Sequence, residues 1–439
     1  MASLNIPESK KNRVVILGGG FGGLTLAKKL SSREFQVVLV DKHNYHTFQP
    51  LLYQVATAGL EPDSIAYPLR KIFHKKQEFY FRVAEAKAVD EEKSELVTDR
   101  GNLRYDHLVL AMGSTTNFFG NENVERYAMP MKSLPEALNL RSLILQNFEA
   151  SLLTDDLKER ERLMNYVIVG GGPTGVELAG AIAELKTHVL PEDYPDLDFR
   201  RMTIHLLEAS PRLLNGMSDK SGDQAVKGLE KLGVQVWTDT MVKDYDGETV
   251  ITEDRKLPAS TLIWAAGVKG NQLDGIPDAS KERGRILVDE QCRIMGMKSV
   301  YAIGDVALMK QDSHPNGHPM VAPVAVQQGK LLAANLRRTI KGGELKTFSY
   351  FNKGSMATIG RNKAVVDVAG LHFKGFIAWL MWMFLHLMEL VGFRNRIIAL
   401  VNWMSSYFSY DKGIRLIIRP FSREERKVED VHADVPSES

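Results

Sequence analysis

Two stretches of the chain, VVILGGGFGGLTLAKKL from Val14 and VIVGGGPTGVELAG from Val167, each read as a β-branched strand, a glycine turn and a helix start. Both satisfy GxGxxG, on Gly18, Gly20 and Gly23 in the first and on Gly170, Gly172 and Gly175 in the second. That spacing serves a narrow purpose. One glycine makes the tight turn, one lets the backbone approach a pyrophosphate, and one lets the helix pack close to its strand. The diphosphate then rests at a helix N-terminus, where amide N–H groups and the helix dipole favour an anion. A second strand follows each helix, at Val37 to Val40 and at Ile204 to Leu207. Each stretch is therefore a βαβ unit, and two such units predict two separate parallel sheets in an α/β protein.

The acid that ends each second strand adds to the case for dinucleotides. Asp41 lies near the spacing at which a carboxylate can grip a ribose hydroxyl pair. Glu208 ends IHLLE in the second unit but stands farther from its glycines. The excess is accounted for by an insertion between helix and strand, His188 to Arg201, marked by Pro191 and Pro195. A carboxylate at Glu208 would repel a 2′-phosphate, which favours NADH over NADPH.

The length, 439 residues, allows about two or three domains. LVLAMG, Leu108 to Gly113, is a strand that closes the first sheet, and a polar helix is expected from Ser142 to Leu163. The strand TLIWAAGV begins at Thr261. The later strand VYAIGDVA, from Val300, suits the first domain better than the second, so the second domain is expected as an insertion in the first. The expected boundaries are 1–120 and 286–370 for the first domain, 121–285 for the inserted one, 371–420 for a pair of apolar helices and 421–439 for a polar tail.

Composition narrows the chemistry. Lys and Arg number 56 against 54 Asp and Glu, so no basic excess argues for nucleic acid. Cys292 is the only cysteine, which rules out an intramolecular disulfide or a CxxC pair. Redox chemistry would have to use a bound cofactor. Two nicotinamide- or flavin-sized cradles with no thiol pair suit one dinucleotide held as a flavin and another passing through as NADH. The pairs His43/His46 and His314/His318 have metal-like spacing but no third ligand, so solvated histidine and no metal are expected. The N-terminus, MASLNIPESKKNR, has no apolar stretch after its charges and reads as uncleaved and cytoplasmic.

From Gly375 to Phe393 runs an apolar stretch whose ionisable groups are His386 and Glu389. In the segment after it, Ile397, Leu400, Val401, Met404, Tyr407 and Phe408 recur at helical spacing, with Asn395, Asn402, Ser405, Ser409 and Lys412 elsewhere. Lys374, Arg394, Arg396, Lys412, Arg415 and Arg419 outnumber Glu389 and Asp411 there. Trp379, Trp382 and Trp403 between such cations suit an anionic membrane surface. A dimer interface made from the same surface is the alternative.

The two loops, DKHNYHTFQPLLYQVATAGL from Asp41, EPDSIAYPLR, YAIGD, AVQQGK and KGSMATIGR, taken in this order, resemble the type II, single-subunit NADH:quinone oxidoreductases over about Arg13 to Pro420. The resemblance implies a glutathione-reductase-like fold with two dinucleotide domains and C-terminal membrane-binding helices, and FAD in the first loop with NADH in the second. It implies electron transfer to a membrane quinone without proton pumping, at the cytoplasmic face of the inner (plasma) membrane, by a homodimer. Gly18, Gly20, Gly23, Asp41, Lys42, Ala111, Gly113 and Asp305 would then hold FAD. Gly170, Gly172, Gly175, Glu208, Ala266 and Gly267 would hold NADH. Glu177 would stand near the nicotinamide as a proton relay, although an acid on the first turn of a helix is also favoured by the dipole alone. Asp305 could equally be a helix N-cap. Gln327 and Gln328 would be polar groups of the quinone site, or else the start of a surface helix running to Leu336, and Lys353 and Lys363 would line its mouth. The chain departs from many members at Pro323, where they carry another glutamine. Where thiol reductases of this superfamily place their disulfide, the chain has HTFQPLLYQVATAG, an apolar face. A ferredoxin or rubredoxin reductase and a membrane-tethered NADH sensor share the loops. The former would not need the aromatic tail.

Overall fold

The computed structural model describes residues 4–409 and 415–423, the last five of the first span by backbone alone. The chain divides into two compact units. The first comprises Met1–Thr47, Ala66–Thr115 and Val268–Lys353, and the second Phe48–Ile65, Thr116–Gly267 and Gly354–Ser439.

The first unit is built on a five-stranded sheet in the order Val300–Ala302, His107–Leu110, Asn12–Leu17, Phe35–Asp41, Phe79–Val83. Every pair in it is parallel. Val14, Val15, Ile16 and Val37 to Val40 are wholly buried, as continuous apolar runs covered on both faces must be. The strand from Val300 returns to pair with His107–Leu110, so the chain leaves this sheet and comes back to complete it.

The second unit repeats the plan. Its sheet runs Met129–Pro130, Thr261–Trp264, Tyr166–Val169, Ile204–Leu207, Gln235–Trp237, again all parallel. Helix Pro173–His188 follows the second glycine loop as helix Phe21–Lys29 follows the first. The expected insertion after His188 is present as a turn of helix, Leu190–Asp193, and a 3-10 turn, Phe199–Arg201.

The structure departs from the sequence reading at two places. The polar helix expected from Ser142 to Leu163 is two helices, Leu134–Leu153 and Leu157–Met164. The first starts earlier because Ser133 and Glu136 form a capping box around Leu134-Pro135. The break follows from Asp156, which caps the second helix by accepting the Lys158 N–H at 2.9 Å. In the second departure, Phe48–Ile65 and everything from Gly354 group with the second unit. Helix Leu52–Ala56 packs against helices Leu134–Leu153 and Pro173–His188, and strand Ser355–Gly360 lies along the latter.

That last contact depends on a missing side chain. A Cβ on Gly180 would stand 2.8 Å from the Ile359 carbonyl oxygen. The sheet Ser355–Gly360, Lys363–Val368, Leu371–Lys374 is antiparallel and leads directly into helices Gly375–Glu389 and Phe393–Ser409.

The glycines of the second loop separate structural need from ligand need. A Cβ on Gly175 would stand 1.9 Å from the Gly170 carbonyl oxygen, whereas one on Gly172 meets nothing within 4 Å. Gly175→Ala should therefore lower stability by about 1–3 kcal/mol, and Gly172→Ala by less than about 0.5 kcal/mol. Urea unfolding of the two variants checks this; equal midpoints would contradict it.

Candidate dinucleotide cradles and an aromatic cavity

In the first unit, the loop Gly18–Gly23 joins strand to helix under tight constraint. Gly18 has φ +106°, and a Cβ there would meet the Ala111 carbonyl oxygen at 2.3 Å. On Gly23 it would meet the Gly18 oxygen at 1.9 Å, and on Gly20 nothing within 4 Å. The open side at Gly20 is what a backbone approached by a pyrophosphate requires. Asp41 secures the loop: its Oδ2 accepts the Gly19 N–H at 2.5 Å and its Oδ1 the His43 N–H at 2.7 Å. Burial pushes the Asp41 carboxyl up, against the lowering effect of those two amides. Lys42, next to it, is exposed.

Ala111 is buried, and its N–H donates to the Leu17 carbonyl at 2.8 Å. Gly113 has φ +68° and open space on its side-chain face. Asp305 sits in a 3-10 turn, Gly304–Val306, and its Oδ2 accepts the Ser114 hydroxyl at 2.6 Å. That turn is clamped by backbone contacts. Arg285 donates to the carbonyls of Asp305, His318 and Ala307. The Gly304 N–H donates to Gln328 Oε1 at 2.7 Å.

The expected quinone role of the glutamine pair meets this geometry directly. Gln328 is buried and committed to Gly304. Gln327 donates to the Phe351 carbonyl at 2.9 Å and accepts the Phe351 N–H at 3.0 Å. Both belong to helix Ala322–Ile340, and Pro323 fits its first turn, where no helical hydrogen bond is lost.

Two histidines depart from the solvated reading. His46 is buried and meets the Gly19 carbonyl through Nδ1 at 2.9 Å, so Nδ1 carries the proton. His318 is buried on Phe348 and meets Gln311 Oε1 at 2.8 Å. Burial pushes both down to about 4, leaving them neutral packing groups. Their aromatic neighbours are distant in sequence, Phe21 for His46 and Phe348 for His318. Among the described residues no group of three His, Cys, Asp or Glu is placed to hold a metal ion.

In the second unit the loop repeats the same contacts. Gly170 has φ +111°, and a Cβ on it would stand 2.7 Å from the Ala265 carbonyl. Glu208 plays the part of Asp41: Oε2 accepts the Gly171 N–H at 2.6 Å, and Oε1 accepts the Ser210 N–H at 2.8 Å. The nearby cation Arg212 is paired with Asp219. Gly267 has φ +86°, is exposed and carries Phe119 over its open face, with Ala266 half-buried beside it.

One turn into helix Pro173–His188, Glu177 is buried, 7% exposed. It forms part of the lining of a cavity of about 130 Å³, together with Tyr53, Gln54, Thr358, Trp379, Trp382, Met383 and Trp403. Glu177 Oε1 accepts the Thr358 N–H at 3.3 Å. The Trp382 indole N–H faces the same carboxyl closely enough to lower its pKa a little, yet outside ordinary hydrogen-bond geometry. Burial dominates and pushes Glu177 up to about 8. Burial also raises Tyr53 far above the usual phenol, with the Glu177 charge adding to it. Glu177, Thr358 and Trp382 converge here. Gln327, Gln328, Lys353 and Lys363 are not among the lining residues. Tyr53, Gln54 and Thr358 fall inside segments the sequence singled out, but only the helix Leu52–Ala56 and the hairpin strand Ser355–Gly360 turn them onto one wall.

The tail helices are inside out. In Gly375–Glu389 the buried positions are Ala378, Trp382 and His386, while Phe376, Ile377, Phe384 and Met388 are exposed. In Phe393–Ser409, Asn395 is buried with its amide on the Asp63 carbonyl at 2.8 Å, and Asn402 donates to Glu61 Oε2 at 2.5 Å. Phe393, Ile397, Val401 and Met404 face outward, with Phe393 79% exposed. His386 is not a charge in this face: burial against Trp382 and Phe48 pushes it down to about 4. No helix among the described residues is long and apolar enough to cross a membrane. The expected positions Asp411 and Lys412, and 424–439 of the polar tail, lie outside the described residues, as do the side chains of Ser405, Tyr407, Phe408 and Ser409.

Comparison with known proteins agrees with these elements. The pyridine nucleotide-disulphide oxidoreductase family model matches residues 12–329, and the NDH2 C-terminal domain model matches 352–409. The type II NADH:quinone oxidoreductases Ndh and NdhA of Mycobacterium tuberculosis are 36% and 38% identical, over 92% of this chain and 90% and 88% of theirs. The chain belongs to the type II NADH:quinone oxidoreductase family. A mitochondrial internal alternative NAD(P)H-ubiquinone oxidoreductase of Solanum tuberosum is 30% identical over 91% of this chain and 87% of its own. In fold, the chain is similar to NDH2 of Plasmodium falciparum, solved in complex with NADH, with a TM-score of 0.86 at 22% identity over 93% of this chain and 100% of that one. A sulfide:quinone oxidoreductase of Aquifex aeolicus gives 0.69 at 18%, over 90% and 95%.

Within this type II family chain, Glu177 gives a stability test whose sign is fixed. Its folded pKa of about 8 lies above the ordinary 4.5. Between those values the folded protein keeps a proton that the unfolded chain releases. The contribution is whole at pH below about 4.5 and is lost as pH rises through about 8. Glu177→Gln has no proton to lose, so its Tm relative to the unsubstituted protein should climb as pH goes from about 5 to about 8. Parallel Tm curves for the two proteins would contradict a protonated carboxyl here.

Proposed function

We propose that the protein is a membrane-surface NADH dehydrogenase that passes two electrons from NADH through FAD to a membrane quinone, without pumping protons. The observation that carries this reading is the Glu177 cavity: a buried carboxyl one turn beyond a dinucleotide loop, walled by three tryptophans and no cysteine.

The residues present fit both dinucleotides. Gly18, Gly20 and Gly23, with Asp41, Lys42, Ala111, Gly113 and Asp305, would hold FAD, and the open face at Gly20 leaves room for its pyrophosphate. When bound, FAD supplies a relay that accepts an electron pair from a nicotinamide and yields it to a quinone. Gly170, Gly172, Gly175, Ala266, Gly267 and Glu208 would hold NADH. Glu208 turns its carboxylate to the loop amides and the ribose position, and the neighbouring arginine is already paired, so a 2′-phosphate finds repulsion and no free partner.

Reduction of a quinone to a quinol takes up two protons with the two electrons. Glu177 is protonated at neutral pH and faces the cavity, so it can hold a proton for an acceptor oxygen and be refilled afterwards. The tryptophan and methionine walls exclude water from the quinone head. The Phe351 backbone holds both ends of the Gln327 amide and the Gly304 N–H takes the Gln328 oxygen, so the acceptor's polar contacts pass to the cavity residues and Gln328 is left to position the Asp305 turn.

The outward apolar faces of the two tail helices would rest in the bilayer interface, with Lys374, Arg394 and Arg396 toward anionic headgroups. That brings the cavity to the layer where quinones dissolve. A homodimer resting on the same surface is compatible with this.

Two experiments test the reading. FAD-loaded protein mixed with NADH should show flavin bleaching, then reoxidation by a short-chain quinone; bleaching without quinone reoxidation removes the function. In the same assay Glu208→Gln should raise the KM for NADH and narrow the preference over NADPH. For attachment, co-sedimentation with anionic vesicles should be lost in a Phe376→Ser/Phe384→Ser double variant that keeps its NADH bleaching rate. Binding that survives both substitutions and high salt would refute the interfacial face.

A further inference from the structure

A directed line of hydrogen bonds runs along the cavity wall. The Trp403 indole N–H donates to Gln54 Oε1 at 2.7 Å, Gln54 Nε2 donates to the Tyr53 hydroxyl at 3.0 Å, and that hydroxyl meets Thr358 Oγ1 at 3.2 Å. Its direction is not arbitrary. An indole N–H can only donate, so Gln54 must turn its oxygen to Trp403 and its NH₂ to Tyr53. Tyr53 oxygen is then an acceptor, and the other contact of its hydroxyl is Thr358 Oγ1, so its own proton points there. Thr358 Oγ1 accepts in turn, which leaves its O–H to donate away from the line. Thr358 lines the cavity, and its backbone N–H already serves Glu177.

We propose that Thr358 is the hydrogen-bond donor that holds a quinone carbonyl in this cavity, and that Gln54 is a positioning residue that keeps the Thr358 proton turned toward it. This rests on the quinone reading above. The Thr358 hydroxyl, the Glu177 acid and the Trp382 indole N–H all donate, so the cavity recognises a flat ring carrying carbonyl acceptors rather than a ligand bearing donors of its own. Because the line starts at Trp403 on a tail helix, seating of that helix sets the polarity of the wall.

The test uses full-length FAD-loaded protein with a short-chain quinone, and ferricyanide as an acceptor without a carbonyl. Thr358→Val removes the donor at constant shape and should raise the quinone KM by about three- to tenfold, the worth of one neutral hydrogen bond. Thr358→Ser should restore it, and the ratio of quinone to ferricyanide rates should fall in Thr358→Val and not in Thr358→Ser. Gln54→Glu has no NH₂, so Tyr53 turns its proton back and Thr358 donates to Tyr53. It should raise the quinone KM alone, yet add nothing to Thr358→Val in the double variant. Additive losses, or equal losses with both acceptors, would overturn the assignment. So would an unchanged KM in Thr358→Val while the unsubstituted protein reduces quinone. Unsubstituted protein that reduces ferricyanide and no quinone would overturn the parent reading instead.

Discussion

Everything at the cavity depends on how closely strand Ser355–Gly360 lies along helix Pro173–His188. Gly180 permits the approach, since any Cβ there would press on the Ile359 carbonyl, and Gly228 gives room for the Ile359 side chain from helix Asp219–Glu230. The neighbour of Ile359 is Thr358, whose N–H thereby reaches Glu177. Glu184, two turns further along the same helix, takes the Arg361 N–H on the other side of Ile359. One small residue thus sets the height of a strand, and the strand sets which groups share a wall with the buried acid. A larger residue at Gly180 would lift the hairpin and with it the line that leads into the tail helices.

The two glycine loops make the same covalent sequence do the same mechanical work in two settings. In each, the first glycine has a φ near +110° and yields to a carbonyl from the adjacent strand, and the last yields to the first. In each, a carboxylate from the end of the next strand fastens the loop by its second amide. These are requirements of the turn itself and would hold without a ligand. The middle glycines are different, because nothing in the protein fills the space beside Gly20 or Gly172. A residue kept small with no neighbour to offend is best explained by what approaches from outside, and this makes them better evidence for dinucleotides than the glycines the fold needs.

Sequence patterns revealed the periodic and the covalent: both βαβ units, the return of the strand at Val300, the insertion after His188, and the meaning of a single cysteine. That cysteine, Cys292, is wholly buried and its thiol is pushed up by burial, so it takes no part in thiolate chemistry. What escaped the sequence was direction. The pair Gln327 and Gln328 looked like polar groups offered to a substrate, but their amides answer backbone at Phe351 and Gly304. Tyr53, Gln54 and Thr358 were visible only as members of unusual segments. Placing them on one wall needs a five-residue helix and a hairpin that begins far down the chain to pack on the same helix, Pro173–His188, and no periodicity of 2 or 3.6 encodes that. His46 and His318 misled for a related reason, since burial is decided by neighbours distant in sequence.

The tail shows a pattern that sequence analysis can read as amphipathic without saying which face is inside. In a globular helix the apolar stripe turns to the core. Here the inward positions carry Asn395, Asn402 and Trp403, each spent on a hydrogen bond to the segment Gln54 to Asp63, and His386, bonded to the Trp382 carbonyl of its own helix, while the outward ones carry Phe, Ile, Val and Met. Burying amides while exposing phenylalanines is unfavourable in water on both counts. The inward asparagine amides and the Trp403 indole are paired, which removes most of the first cost. The second is removed by an apolar cover over the outer face. A helix of Gly375–Glu389 reaches about 22 Å, short of the ~30 Å hydrocarbon layer, so a bilayer there would be met from one side. Lying in the interface, as in the function proposed above, would resolve the inversion, as would a second copy seated on the same face.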